Sequence, residues 1–144
     1  MKKNIFYGAV ISYDVIKKYY RDDESFHSFV FQQWMDDGDK ENDHYKLIAY
    51  AIANDGCILN HHEPLPIKKL NERKHVLTRS VHFANIVLYR KELDCLYRNP
   101  ESTAELKLFP ESYDGTTYVS YSAETINSPR VSVKLDPCPP APSR

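Results

Sequence analysis

Three of the six histidines, His61, His75 and His82, are the side chains best suited to move a proton near neutral pH. With lysine or arginine on a phosphate, they would serve as acid and base in a small enzyme acting on a nucleotide or phosphodiester. Phosphoesterases with paired histidines carry two H-x-[ST] tripeptides, but Leu77 and Ala84 occupy the third positions of the tripeptides that begin at His75 and His82. Without a motif, this enzyme is only the alternative function, and we expect no catalytic site.

Ligands for metals and cofactors are also incomplete in the sequence. Cys57, His61 and His62 lie close together, but zinc needs about four ligands, usually from two separated pairs, and there is no second pair. Residues 36–43 are acidic, yet Gly38 and Leu47 stand where an EF-hand loop that begins at Asp36 needs acidic ligands. The chain has only four glycines, and their spacing matches neither the dinucleotide-binding motif G-x-G-x-x-G nor the P-loop motif G-x-x-x-x-G-K-[ST]. We expect no metal site and no cofactor.

Charge is segregated along the chain, although the net charge is only −1. Residues 22–44 carry eight carboxylates and one lysine, whereas residues 45–98 carry nine basic and five acidic side chains. Blocks of both signs in a small protein favour a protein partner over bare nucleic acid. The candidate binding residues are the acidic and basic members of these blocks: Asp36, Asp37, Asp39, Glu41, Asp43, Lys68, Lys69, Arg73 and Lys74.

Composition favours a surface that binds. Tyrosine occurs eleven times, and its ring and hydroxyl suit protein interfaces. Three cysteines without a close pair favour a reducing compartment, and no apolar run reaches the roughly 18 residues of a membrane span. The sequence therefore predicts a non-catalytic binding or inhibitor protein in the cytoplasm. It would act on a protein partner through a charged, tyrosine-rich surface, like phage or mobile-element products that block a host factor. A nucleotide or nucleic acid is the alternative partner.

The first elements predicted to position these residues are a strand and two helices. Ile5–Tyr13 is an apolar, β-prone run, typical of a central strand covered on both faces. Residues 14–21 are predicted as a short helix that starts at Asp14. Residues 24–35 are predicted as a second helix, because apolar residues recur at helical spacing. That apolar stripe comprises Phe26, Phe29, Val30 and Trp34.

The middle of the chain is predicted to contain both strands and helices. Asn54-Asp55-Gly56 is a hairpin signal between predicted strands at residues 45–53 and 57–60, although a helix at 45–53 is the alternative. A short basic helix at 67–73, a long β-prone stretch at 76–89 that forms one strand or two, and a helix at 90–98 are expected to follow.

The last third is predicted to be β, with strands at residues 105–109, 116–122 and 130–135. The expected fold is α+β, a mainly antiparallel sheet with the two N-terminal helices packed on one face. Residues 1–136 are expected to form a single globular domain, and residues 137–144 a flexible, proline-rich tail. The oligomeric state stays open.

Overall fold

The computed structural model of the protein describes residues 2–61, 63–78, 82–111, 118–125, 131–135 and 137–138. Strands make up 54% of the described residues and form a nearly closed, barrel-like sheet, whereas the helices are short. The predicted α+β fold with two N-terminal helices packed on a sheet is therefore wrong. The main error is the second helix, because its residues form a strand.

The described part of the chain contains nine strands and two short helical segments. The strands are β1 (Lys3–Ile11), β2 (Phe26–Met35), β3 (Asn42–Ala53), β4 (Lys68–Leu77), β5 (Asn85–Tyr89), β6 (Leu106–Glu111), β7 (Ser120–Thr125), β8 (Val131–Leu135) and β9 (Pro137–Cys138). The helical segments are α1 (Tyr13–Ile16), which continues as a π-helical turn (Lys17–Arg21), and α2 (Arg90–Leu96).

Neighbouring strands follow the order β8-β7-β6-β1-β3-β2-β5-β9, and β4 also pairs with β1. β1 and β3 run parallel, with residues 3–6 opposite residues 42–45, and the other described pairs are antiparallel. One residue after β8, the chain forms β9, which pairs with β5 at the far end of this order. The last two strands therefore bring the ends of the sheet together.

β1 is the central strand that the apolar run predicts. Side chains on both of its faces are buried, including Ile5, Phe6 and Tyr7. Gly8 is required at this point, because a Cβ there would stand 2.0 Å from the carbonyl oxygen of Leu108 in β6. The close approach of β6 therefore depends on a residue without a side chain.

β2 occupies the stretch that was predicted as the second helix. A bulge at His27 interrupts its pairing with β3, because two steps along β2 match one step along β3. The bulge places Phe26, Phe29 and Phe31 together in the core, where each is fully buried. Because of the bulge, Phe26 and Phe29, three residues apart, lie on the same side of the strand. This spacing is the one expected for the apolar residues of a helix.

β4 replaces the predicted basic helix at residues 67–73. Between Phe6 and Gly8 of β1, the partner residue on β4 changes from His75 to Leu70, so β4 contains extra residues that bulge outward. Arg73 lies in this bulge with a left-handed φ of 57°. Most β4 side chains are exposed, so the strand lacks the apolar alternation by which it could be recognised.

The predicted strand at 76–89 is not continuous. Its first residues end β4 at Leu77 and its last residues form β5, while residues 79–81 lie outside the described residues. The hairpin reading of 45–53 is confirmed for its first strand, β3. The return at 57–60 makes one isolated bridge, between Ile52 and Ile58, rather than a strand.

The remaining predictions mostly match the structure. α1 with its π-helical turn buries Val15, Ile16 and Tyr20, and α2 buries Leu93 and Leu96. β6, β7 and β8 fall in the predicted β region, in which residues 112–117 and 126–130 are outside the described set. The first two residues of the predicted flexible tail at 137–144 form β9 and pair with β5, and the rest of that tail, residues 139–144, lies outside the described residues.

The core joins the inner sides of seven strands with the helical segments. Burying a large apolar side chain of this kind stabilises the fold by about 1.5–3 kcal/mol. The largest fully buried side chains are Phe6, Phe26, Phe29, Phe31, Phe109, Tyr121, Ile11, Ile16, Ile86, Leu88, Leu93 and Leu96.

Candidate binding surface

The acidic and basic stretches that the sequence singles out meet in the structure. Asp36, just after β2, accepts a hydrogen bond from Lys69 Nζ at 3.0 Å, and Lys46 Nζ lies 3.8 Å away. The Lys69 ammonium and the backbone N–H of Asp37 hold the pKa of Asp36 below its usual value. The β2–β3 connection is therefore tied to the start of β4 by charge.

Other carboxylates of this connection are engaged as well. Asp39 Oδ1 accepts hydrogen bonds from the backbone N–H groups of Glu41 and Asn42, at 2.8 and 2.6 Å. These bonds, together with His44, lower the pKa of Asp39. Asp43 lies 3.4 Å from Lys2 Nζ, whereas the side chains of Glu41 and Asp37 are exposed. The predicted acidic patch is thus partly neutralised by its own surroundings.

A chain of three side chains links Asp39 to β1. His44 Nε2 lies 3.2 Å from Asp39 Oδ2, and His44 Nδ1 lies 2.7 Å from the Tyr7 hydroxyl. With the proton on Nε2, the imidazole donates to Asp39 and accepts from Tyr7, and the two rings are stacked. Such an order can polarise a hydroxyl. Here Tyr7 is 6% exposed and Lys69 Nζ stands 4.6 Å from its ring centre, which limits access to it.

Sequence reasoning missed this chain. Tyr7 and His44 are distant in sequence, and the parallel pairing of β1 with β3, which puts Ile5 opposite His44, brings them together. Neither residue belongs to a motif, so the sequence carries no signal for the contact.

The three histidines of the enzyme hypothesis lie on separate elements. His61 has a left-handed φ of 57° in the turn after the Ile58 bridge, His75 is in β4, and His82 forms an isolated bridge with Tyr118. None of them lines either of the two cavities described below. Among the described residues, no three His, Cys, Asp or Glu side chains lie close enough together to hold a metal ion. His62 lies outside the described residues.

Arg73, one of the predicted binding residues, makes its contacts with other residues of the fold. Its guanidinium pairs with Glu124 of β7 at 2.9 Å and with Glu111 of β6 at 3.9 Å, and its carbon lies 3.7 Å from the ring centre of Phe109. Lys68 and Lys74, also in β4, are exposed.

The outward side of β2, β3 and β5 carries many apolar side chains, which we call the outer face, and the polar Ser28 and Gln32 of β2 lie among them. Along β3, residues alternate between buried and half-buried, so one side points to the core and the other points outward. The strand registers bring the outward residues of β2 and β5 onto the same side. The outer face comprises Val30 and Trp34 of β2, Ile48, Tyr50 and Ile52 of β3, Val87 and Tyr89 of β5, and Ile58, which pairs with Ile52.

None of the outer-face residues belongs to the core cluster or packs against it. Trp34 is 54% exposed, Ile58 44% and Tyr89 38%, and the others are half-buried. Tyr50 and Val87 flank Val30 in the middle row, because both pair with it. The three strands and about four rows form a patch of roughly 300 Å². Patches of this size on monomers are often functional.

A cavity of about 350 Å³ opens beside the outer face. The pairing of β1 with β3 stops at Tyr45, and the next contact along this edge is from Leu65 N to Ala49 O, so the edge between them is open. The cavity fills this opening. Its lining is mixed, with five apolar residues and three charged ones: Leu47, Ile48, Pro64, Leu65, Ile67, Asp36, Lys46 and Lys69.

A second cavity, of about 410 Å³, lies at the start of β1 and β3. It is polar and open, and its lining residues are Lys2, Lys3, Lys40, Glu41 and Asn42. Lys2 is paired with Asp43, and Glu41 adds a carboxylate, so the positive charge of this cavity is partly offset.

Comparison with protein-family models, with curated proteins and with solved structures found no match to this chain. Among the described residues, no helix is long and apolar enough to cross a membrane.

Proposed function

We propose that the protein is a small non-catalytic binding protein, acting as an inhibitor of a protein partner through the outer face and the charged groups beside it. The observation that carries this proposal is the apolar, aromatic outer face, which is separate from the core cluster. Trp34, Tyr50 and Tyr89 lie along it. A partner protein that covers this face would remove apolar surface from water and leave the core of the fold undisturbed.

The side chains of the outer face suit recognition. Tryptophan and tyrosine provide large contact areas with few rotatable bonds, and they are enriched among the residues that dominate binding energy. The strands beneath hold them in a fixed arrangement, so little conformational entropy is lost on binding. Lys46 and Asp36 at one end supply the polar border that interfaces commonly have.

The alternative, an enzyme with His61, His75 and His82 as acid and base, gains no support from the geometry. Catalysis by these histidines needs at least two of them beside one cavity. The described cavities are lined by other residues.

The proposal includes a cytoplasmic location. Cys57 is an exposed free thiol, and Cys95 is a half-buried one. Exposed thiols persist in reducing compartments and are oxidised outside them. An origin in a phage or mobile element is part of the same proposal and is tested by identifying the partner.

A capture experiment tests the proposal. The wild-type protein, immobilised in a lysate of its source organism, should retain one stoichiometric protein partner. Tyr50→Glu, which puts a charge in the middle of the outer face, should lose it. Phe83→Ser is the matched control, because Phe83 is 48% exposed but packs on Tyr45 of the inner side rather than on the outer face.

Both variants must keep the far-ultraviolet circular dichroism of the wild type. Retention of the partner by Tyr50→Glu, or equal loss with Phe83→Ser, would contradict the proposal. Absence of any stoichiometric partner across several salt concentrations would contradict it too.

A further inference from the structure

We propose that the outer face and the cavity beside it receive an acidic segment of a partner protein, anchored by one large apolar side chain. This inference rests on the proposed function and adds the chemistry of the partner. It follows from three features of the described residues: the cavity, the charges at its rim and the dimensions of the outer face.

The cavity is suited to an apolar anchor. Five of its eight lining residues are apolar, among them Ile48, Pro64 and Ile67. Its volume of about 350 Å³ is at the small end of the range for binding sites. Anchors of this kind, seated in a pocket beside a flatter surface, dominate many interfaces.

The charges at the rim favour an acidic partner. Two lysines, Lys46 and Lys69, stand around a single carboxylate, Asp36, which leaves one excess positive charge. Lys69 is committed to Asp36 at 3.0 Å, whereas Lys46 is 3.8 Å from the same carboxyl group and 43% exposed, so Lys46 is the freer cation. At the other end, Lys91 Nζ lies 5.9 Å from the ring centre of Tyr89. Carboxylates of a partner would thus meet a lysine at either end.

The dimensions define the length of the segment. Lys46 and Ile52 delimit the outer face along β3, about 20 Å apart at the rise of a strand. An extended segment of roughly seven residues spans this distance. Its anchor would enter the cavity near Ile48, and its acidic residues would flank the anchor.

A second copy of the chain fits this surface poorly. Two outer faces packed together would join two rims of excess positive charge. A nucleic acid would meet Asp36 and an apolar surface where it needs cations.

The test is selection from a library of random peptides of about ten residues, displayed and captured on the wild-type protein. Binders that also bind Tyr50→Glu are removed by counter-selection. Selected sequences should carry aspartate or glutamate on both sides of one aromatic or large aliphatic residue. Synthetic versions without tryptophan are then titrated into the protein.

Trp34 reports the binding directly, because it is the chain's one tryptophan and lies on the outer face. Its emission should shift to shorter wavelength as the peptide covers it. Exchange of the peptide's acidic residues for lysine should weaken binding at least tenfold. Lys46→Glu should weaken the acidic peptide about threefold to tenfold and strengthen the lysine version. Lys18→Glu, an exposed residue of the π-helical turn, is the matched control and should change neither.

Selected peptides that are basic or of random charge would overturn the inference, as would selected peptides that leave the Trp34 emission unchanged. Concentration-dependent self-association that Tyr50→Glu abolishes would also overturn it, in favour of a second copy. In either case, a partner from the lysate that Tyr50→Glu loses would leave the proposed function in place.

Discussion

Arg73 joins three strands at a single point. It lies in the bulge of β4 and reaches Glu111 of β6, Glu124 of β7 and the ring of Phe109. Its left-handed backbone costs about 1 kcal/mol, so the ion pairs and the ring contact must outweigh that strain. The sequence shows Arg73 as one member of a basic cluster, and nothing in that pattern separates a cation used inside the fold from one offered to a partner.

Two substitutions at Arg73 distinguish what its side chain contributes to stability from what its backbone strain costs. Arg73→Ala should lower the free energy of unfolding by about 1–3 kcal/mol, because the pair with the nearly buried Glu124 is lost. Arg73→Gly loses the same contacts but relieves the left-handed φ, so it should be more stable than the alanine variant by about 1 kcal/mol. Urea denaturation measures both. Equal stability of the two variants would show that the backbone is not strained.

A second prediction concerns Asp36 and pH. The pKa of Asp36 is lowered in the folded state, chiefly by Lys69, so its ion pair stabilises the fold at pH values above the unfolded-chain pKa of 3.8. This stability is lost as the pH falls through the lower, folded-state pKa. Asp36→Asn should therefore be less stable than wild type near pH 5, and the difference should shrink towards pH 2. Urea midpoints measured across this range test it, with Asp37→Asn as the neighbouring control.

At the scale of the element, β1 packs so closely against β6 that a side chain does not fit between them at one position. The carbonyl of Leu108 stands where a Cβ of Gly8 would be, so Gly8→Ala should push β6 away from β1. We expect a loss of about 2–4 kcal/mol in the free energy of unfolding, or failure to fold. Gly56→Ala is the control: Gly56 has a φ of 87° but open space around it, and should lose about 1–2 kcal/mol. A larger loss for Gly56→Ala would contradict the packing argument.

Elements were predictable from the sequence where their apolar residues follow one period. β1, β3 and α2 have such patterns, and the structure contains all three. β2 was predicted wrongly because the bulge at His27 changes the side of the strand on which each residue lies. β4 was missed because a mostly exposed strand has no apolar side to reveal it. The outer face depends on the pairing of β2, β3 and β5, and such registers between distant residues leave no periodic signal in a single sequence.

At the scale of the whole molecule, buried tyrosines link stability to alkaline pH. Burial raises the pKa of Tyr97 and Tyr121 above the usual value, and burial together with the hydrogen bond to Asp94 raises the pKa of Tyr20. The neutral hydroxyls stabilise the fold fully below about pH 10, the pKa of tyrosine in an unfolded chain. That stability is lost as the pH rises further towards the folded-state pKa values.

Tyrosinate absorbance should therefore rise in two stages as the pH is increased. Exposed tyrosines should ionise first, and Tyr20, Tyr97 and Tyr121 should ionise together with the loss of circular dichroism. Tyr121→Phe should lower the amplitude of the second stage, because it removes one of the buried hydroxyls whose pKa is raised. Ionisation of all tyrosines in a single stage, with the fold intact, would contradict the assigned burial.

The distance in sequence between β1 and β6 has a consequence for biosynthesis. β3 and β4 follow β1 sooner, but its partner β6 begins at Leu106, so the edge of β1 that β6 covers stays unpaired while nearly a hundred further residues are added. At common rates of translation this delay lasts roughly 5–20 s. During that time, the strand can pair with any other unprotected edge in the cell. Yield during expression should therefore depend on chaperones that cover nascent chains, more than the stability of the finished protein suggests.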